Sequence, residues 1–315
     1  LSDFKAFAAP LGAFDDPMDL SLIVSGNKEA IDIHRLLIST PDGRLSIDLK
    51  AQATGIGDRS MFAVNAPSLK LSVTAGEMEK IVSGLTRQPR SLADKLLRLG
   101  EISLEGNLRS SLRALESKSS LKCGLGEIET NAKVAFRDGG TVALDAQAST
   151  SGFNIGALLP ESGLGSAAFM ADASLSIAGK DFSGKLDTDI DFIEYGTDRL
   201  SGVSLKASKE GSRVVAEVHS DDPNLLLSAN GVAVMSGVHR LHDTPLQFTA
   251  NVDLKRFVPE AFGIAPKLGG YDFSVYADIN LSGQNLDAML GSVSVRDFCM
   301  HRHDGKTLTL QYLDV

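Results

Sequence analysis

The most regular feature of the chain is the alternation of apolar and polar residues. In RLSIDLKAQ, residues 44–52, the side chains of Leu45, Ile47 and Leu49 fall on one face of an extended chain. Strict alternation is typical of antiparallel strands with one apolar and one polar face, and typical strand lengths predict about twenty short strands. The same alternation occurs at residues 68–75, 141–150, 212–220, 224–234 and 246–254.

Turn-forming residues separate these alternating segments. Glycine, proline, aspartate and asparagine favour the tight turns that connect antiparallel strands. Such residues occur in TPDGR (40–44), RDGG (137–140), KEGS (209–212), DDPN (221–224) and HDGK (303–306).

Helical patterns are few and short. Ser91 is a suitable N-cap for a helix over SLADKLLRLG, which ends at Gly100. A second short helix is predicted over residues 77–85. Residues 155–165 and 255–270 contain proline and predict single turns or loops.

One phrase, a strand followed by glycine, recurs at residues 101–106, 173–179 and 277–283. We predict that Gly106, Gly179 and Gly283 are bends at which one strand ends and the next is laid beside it. Their unequal spacing indicates a degenerate array. The chain also begins without Met, and we interpret it as a fragment of a longer protein. The prediction is one continuous, elongated β-array over residues 1–315, with approximate repeat sections at 1–100, 101–230 and 231–315.

The composition limits the kinds of partner. The net charge is −9 and no basic stripe occurs, which argues against nucleic acid because phosphate binding requires clustered Lys and Arg. There is no Trp, and only 6% of the residues are aromatic. The apolar surface is therefore aliphatic. No apolar run approaches the roughly 18 residues of a membrane span.

No constellation in the sequence predicts catalysis. The GLGSAA stretch at 163–168 fits a loose dinucleotide fingerprint, but the segment after it alternates like a strand, where the fingerprint requires a helix. Asp187, Asp189 and Asp191 alternate along one strand face, which is typical of a solvated row of carboxylates. We therefore predict no enzymatic activity and no cofactor.

The histidines and cysteines suggest weak alternatives. His301 and His303 have the spacing of a pair on one strand face, and His239 lies near His242, but exposed histidines are the favoured interpretation and we predict no metal site. Cys123 and Cys299 are too few for a disulfide framework. One pairing remains open, although free buried thiols are favoured.

Many amphipathic strands in sequence must bury one face. They can form a closed sandwich or barrel, or an open, curled sheet whose apolar inner face forms a trough. The scarcity of aromatic residues and the persistence of the pattern favour the trough, and a surface of this kind marks a binding site. A hydrocarbon chain suits it, since each buried methylene contributes about 0.8 kcal/mol. The predicted groove-lining residues are Leu71, Val73, Val142, Leu144, Leu175, Ile177, Val214, Val218, Leu225, Leu227, Phe248, Val252, Ile279, Leu281, Val293 and Val295.

Four stretches, at residues 152–182, 190–207, 220–237 and 273–298, resemble the repeat region of the TamB/AsmA-like family of diderm bacteria. The likeness rests on glycine positions, strand alternation and the Asp-Pro-Asn turn. It implies a β-sheet half-pipe, or β-taco, with an apolar concave face. It also implies a periplasmic location, with an inner-membrane anchor in a segment that precedes this fragment. The family is implicated in lipid transport between the two membranes and in assembly of outer-membrane β-barrel proteins with a BamA-like barrel partner.

The leading hypothesis is a non-enzymatic, bridge-like conduit that carries the acyl chains of phospholipids or similar lipids along a hydrophobic groove. Such a conduit would support outer-membrane biogenesis. One alternative is a chaperone-like scaffold for outer-membrane β-barrel proteins, because an open sheet edge accepts a strand. A second alternative is an adhesin or binding module built as a closed β-sandwich.

Small-angle scattering separates the trough from the sandwich. A compact particle of this length has a radius of gyration of roughly 20 Å. We expect a clearly larger value, because strands added in one direction extend a sheet without thickening it. A value near that of the compact particle would contradict the trough.

Overall fold

The structure is a computed structural model that describes residues 17–85, 97–179, 181–196, 198–235, 246–263, 268–283 and 288–314. Strands dominate these residues, and they form one antiparallel sheet that is not closed. The described strands are β1 Asp19–Gly26, β2 Ala30–Ser39, β3 Leu45–Thr54, β4 Ala63–Thr74, β5 Glu101–Ser111, β6 Ala114–Cys123, β7 Gly126–Phe136, β8 Thr141–Asn154, β9 Leu164–Ala178, β10 Asp181–Tyr195, β11 Asp198–Glu210, β12 Arg213–Asp222, β13 Leu225–Met235, β14 Leu246–Phe257, β15 Tyr271–Gly283, β16 Met289–Arg302 and β17 Thr307–Asp314.

Short helical segments connect some of these strands. Helix α1 is Ala75–Leu85 and helix α2 is Ile155–Leu158. Single 3-10 turns occur at Arg59–Met61, Asp138–Gly140, Pro160–Ser162 and Pro259–Phe262. In the described part of the chain, no helix has both the length and the apolar character needed to cross a membrane.

The chain divides into two compact units within β8. The first unit extends to Arg137 and includes Ala146–Pro160, and the second comprises Asp138–Asp145 and the residues from Glu161 onward. Each strand from β1 to β6, and each from β9 to β16, pairs antiparallel with the next strand in the chain. The division into two units does not test the predicted repeat sections, which stay a prediction.

In the first unit the register places aliphatic residues opposite one another. Cross-strand partners in an antiparallel pair lie on the same face, so alternation within each strand becomes a continuous row across the strands. The neighbouring row on the opposite face is mostly polar and contains the ion pair between Lys70 and Glu105, at 3.1 Å. The aliphatic row comprises Leu20, Ile38, Ile47, Leu71, Leu104, Leu121 and Ile128.

The core of the first unit lies at one margin of its strands. Leu45, Val73 and Ile102 form a buried cluster where β4 ends and β5 begins, and Met78 of α1 packs against it. The buried carboxylate of Glu77 in α1 forms ion pairs with Arg44, at 3.3 Å, and Lys80, at 3.2 Å. Because these ion pairs partner the buried charge, α1 can pack on this margin and close it.

The second unit is closed at one margin by the Asp-Pro-Asn turn and a 3-10 turn. The Asp222 side chain is only 3% exposed, and its oxygens accept hydrogen bonds from the backbone N–H and hydroxyl of Ser201 and the N–H of Asn224. Phe262 of the 3-10 turn stacks on Phe257 with ring centroids 5.5 Å apart. The carboxylate thus ties β11 to the turn between β12 and β13 at this closed margin.

The predicted turns and short helices agree with the structure in the described residues. Turns occur within 41–44, 138–140, 211–212, 223–224 and 303–305. Helix α1 covers the predicted helix at 77–85, and short helical turns occur at 155–158 and 259–262. Most of the helix predicted from Ser91, including Ser91 itself, lies outside the described residues.

The glycine bends are only partly correct. Gly179 lies between β9 and β10 with φ of 63°, and Gly283 is the last residue of β15. Gly106, however, lies inside β5, paired with Leu69 and Ser119. A Cβ atom there would overlap the carbonyl oxygen of Lys118 and lie 2.8 Å from Ser119 Cβ. The predicted strand end at Gly106 is therefore wrong. This glycine instead permits β5 and β6 to approach each other closely.

The predicted fold class, an all-β chain with a few short helices and one open antiparallel sheet, is confirmed. The single sheet differs from the two packed sheets of the closed-sandwich alternative. The seventeen described strands are somewhat fewer than the predicted number because several strands are longer than ten residues.

The role of Gly106 can be tested by substitution. We expect Gly106→Ala to destabilise the protein by about 1–3 kcal/mol, since the added methyl group forces the backbone of β6 to shift. Gly152→Ala in β8 is the matched control, because its Cβ would meet no atom within 4 Å. Urea unfolding measures both variants, and equal midpoints would contradict this role for Gly106.

Candidate functional site: the apolar face of the sheet

In the second unit an apolar row crosses nine consecutive strands. It contains small and branched aliphatic side chains, with one polar member, Thr188. Alternation within each strand and the register between strands place these side chains on one face. The row comprises Ala171, Thr188, Leu205, Val218, Ala229, Val252, Ala277, Val295 and Leu313.

Two further rows follow this one on the same face, which we call the apolar face. Because each row lies two residues beyond the previous one along the strands, the three rows form a continuous surface. The second row comprises Ala173, Leu186, Ala207, Ala216, Gly231, Ala250, Ile279 and Val293. The third row comprises Leu175, Gly184, Lys209, Val214, Ala233, Phe248, Leu281 and Gly291.

The register brings most of the predicted lining residues of the second unit together. Val218, Val252 and Val295 lie in the first row, Ile279 and Val293 in the second, and Leu175, Val214, Phe248 and Leu281 in the third. Three more predicted residues extend the same face. Ile177 pairs with Phe182, Leu227 with Leu254, and Leu225 with Phe257.

Strand β8 carries two more of the predicted residues. The Ser174 hydroxyl donates to the carboxylate of Asp145, at 2.8 Å, so these two polar side chains share a face. Val142 and Leu144 alternate with Asp145 and therefore lie on the same side as Leu175. Both are half-buried.

The two predicted residues of the first unit differ in accessibility. Leu71 is half-buried in the aliphatic row, whereas Val73 is 1% exposed and belongs to the core cluster. Val73 is therefore not part of an accessible surface. For the other predicted residues, contact with a lipid stays a prediction.

Most of the apolar face is neither a closed core nor fully exposed. Its side chains are mostly half-buried by their neighbours, and all the described strands belong to one sheet that is not closed. Exposure rises where β9 ends and β10 begins, where Ile177 is 40% and Phe182 48% exposed. Contiguous apolar surface of this kind marks a binding surface in soluble proteins.

The opposite face carries paired charges. Lys206 and Asp187 form an ion pair at 3.1 Å, and their hydrogen bond raises the pKa of Lys206. Asp187, Asp189 and Asp191 are exposed there, as predicted. In the first unit, the face opposite the aliphatic row contains the ion pair of Glu116 with Lys133, which lowers the pKa of Glu116. In each unit this face is therefore a solvated surface with charges partly neutralised within the sheet.

The sequence-based reasoning missed apolar residues of the first unit and one polar residue on the apolar face of the second. In the first unit, Leu104, Leu121 and Ile128 continue the row of Leu71 across β5, β6 and β7. The alternation of apolar and polar residues in GEIETNAKVAF, residues 126–136, could have placed Ile128 on an apolar strand face. Lys209 was missed as well, because alternation alone does not assign a polar residue to an apolar face.

The alternative chemical sites have ordinary surroundings. His301 is exposed, and its Nδ1 lies 3.0 Å from the Thr307 hydroxyl, whereas His239 and His242 lie outside the described residues. Among the described residues, no group of three or more metal-ligating side chains converges. Cys123 and Cys299 are free and half-buried. The GLGSAA stretch lies in β9 except for Gly163, and a strand occupies the place where the dinucleotide fingerprint requires a helix.

Comparison with protein-family models, curated proteins and solved structures gives no match. The resemblance to the TamB/AsmA-like family therefore stays a prediction. The functional argument rests on the apolar face itself.

Proposed function

We propose that this protein binds the acyl chains of lipids along the apolar face and serves as a non-enzymatic conduit between the inner and outer membranes. The observation that carries the proposal is the apolar row that crosses nine strands of a sheet that is not closed. Such a surface binds hydrocarbon because water is released from both partners.

The chemistry of the row favours a chain that slides. Each buried methylene contributes about 0.8 kcal/mol without any directional contact. The nine strands, at about 4.8 Å apart, offer roughly 40 Å of similar surface. Because neighbouring positions differ mainly in side-chain size, a bound acyl chain moves between them without breaking a specific hydrogen bond.

The biological setting of the proposal follows from the family resemblance. It places the protein in the periplasm, anchored to the inner membrane by a segment outside this sequence. It also gives phospholipid as cargo and a BamA-like outer-membrane barrel as a partner, so that the conduit supports outer-membrane biogenesis.

A second candidate function is a scaffold for unfolded β-barrel strands, and one observation favours it. Among the described residues, β17 pairs with β16 alone, and every residue from Thr307 to Asp314 is exposed. An unpaired strand edge of this kind accepts another strand through backbone hydrogen bonds.

Aspartate substitutions test the conduit. We expect Leu281→Asp and Leu144→Asp to weaken acyl-chain binding at least tenfold and to impair outer-membrane integrity, because a carboxylate on the path costs free energy to desolvate. Binding is measured with a fluorescent fatty-acid analogue, and integrity by detergent sensitivity of cells.

Asn280→Asp is the matched control, since Asn280 is exposed on the opposite face beside Leu281. It adds the same charge and should leave binding unchanged. Normal expression and unfolding midpoints exclude misfolding. If the two apolar-face variants retain binding and integrity, the conduit is wrong at those positions.

Photo-crosslinking in cells separates the conduit from the scaffold. A photoreactive phenylalanine analogue at Phe248 of the apolar face should capture phospholipid, whereas the analogue at Thr249 of the opposite face should not. The same analogue at Thr309 in β17 should capture little protein. Recovery of barrel precursors at Thr309, without lipid at Phe248, would favour the scaffold.

A further inference from the structure

A lysine lies on the apolar face of the second unit. Lys209 of β11 pairs with Gly184 of β10 and Val214 of β12, in the row that contains Leu175 and Phe248. An ammonium group on an aliphatic surface costs free energy unless it is hydrogen-bonded or solvated. The ammonium group of Lys209 must therefore have polar partners or contact with water.

The Lys209 side chain directs its ammonium group toward the margin where β9 ends and β10 begins. Its Nζ donates hydrogen bonds to the carbonyl oxygens of Phe182, at 2.8 Å, and Gly211, at 2.9 Å. The same atom lies 4.0 Å from the centroid of the Phe182 ring. A lysine ammonium has three N–H donors, so one remains for a ligand oxygen.

The charge of Lys209 is not neutralised within the described residues, where no carboxylate forms an ion pair with it. By contrast, Lys206 on the opposite face of this unit has a carboxylate partner at 3.1 Å, as does Lys70 on the polar face of the first unit. Carbonyl oxygens orient the ammonium of Lys209 but leave its positive charge uncompensated. The ammonium group can therefore pair with an anionic ligand.

The two margins of the second unit differ in accessibility. At the closed margin, Ser220, Asp222, Val258 and Phe262 are buried. At the margin where β9 ends and β10 begins, which we call the open margin, Ile177 and Phe182 are exposed. Lys209 lies at the open margin, two residues along the sheet from the pair formed by Ile177 and Phe182.

We propose that Lys209 binds the anionic phosphate of a phospholipid whose acyl chains lie on the apolar face, and so holds the head group at the open margin. This inference rests on the proposed function, since it assumes that acyl chains occupy the face. A bound phospholipid must keep its phosphate in water, which the closed margin does not allow. A charge-assisted hydrogen bond from Nζ to a phosphate oxygen then fixes the orientation of the lipid.

The experiment compares two lipids with identical acyl chains, phosphatidylglycerol and diacylglycerol, each with a fluorescent label on one chain. Binding to the purified protein is measured with wild type, Lys209→Met and Lys209→Arg. Methionine keeps most of the apolar stem and removes the charge, whereas arginine keeps the charge. Lys206→Met, on the opposite face of the same strand, is the matched control.

We expect Lys209→Met to weaken phosphatidylglycerol binding roughly five- to tenfold and to leave diacylglycerol binding unchanged. Lys209→Arg and Lys206→Met should bind both lipids like wild type. The advantage of phosphatidylglycerol over diacylglycerol should decrease with added salt, since this margin is exposed to solvent. Glycerol phosphate, which lacks acyl chains, should not displace the bound phospholipid.

Three results would overturn the role of Lys209. The first is an equal loss of affinity for both lipids in Lys209→Met, which would indicate an apolar packing role, and the second is no loss of affinity for either lipid. The third is displacement of the phospholipid by glycerol phosphate, which would indicate a simple anion site. Wild-type protein that binds neither lipid would overturn the proposed function together with this inference. Binding of both lipids without dependence on Lys209 overturns this inference alone.

Discussion

Backbone hydrogen bonds between consecutive antiparallel strands hold apolar residues opposite apolar residues across each unit. A shift of one residue in any strand would move its aliphatic side chains to the charged face. Leu71, for example, would exchange places with Lys70 or Ser72 and face the apolar partners Ile47 and Leu104 with a polar group. The stability of the sheet and the continuity of the apolar face therefore both depend on the register of the strands.

The margins of the strands give this repetitive surface a direction. Leu45, Val73 and Ile102 pack near α1 in the first unit, and the Asp222 carboxylate ties β11 to the turn between β12 and β13 in the second. The opposite margin of the second unit is exposed and contains Lys209. The proposed orientation of a bound phospholipid depends on this margin, which combines exposure to solvent with the charge of Lys209.

Alternation predicted the antiparallel strands and most turns, and helix α1 was predicted from its own sequence. Most of the predicted lining residues of the second unit lie on one face because period two is a local property of an extended chain. Predictions failed where a second strand decides the outcome. Gly106 lies inside β5 because it pairs with both neighbouring strands, and the carbonyl group of Lys118 leaves no space there for a side chain. Val73 is buried by Leu45 and Ile102, which are distant in sequence.

The order of residues along each strand already separates an aliphatic from a charged face, since successive side chains of an extended chain point in opposite directions. The pairing of strands decides which residues become neighbours and which margin is closed. Leu104, Leu121 and Ile128 join Leu71 only through three successive registers. The ammonium of Lys209 reaches the carbonyl of Phe182 only because β10 and β11 are paired. These contacts depend on residues far apart in the chain, and local alternation carries no information about their register.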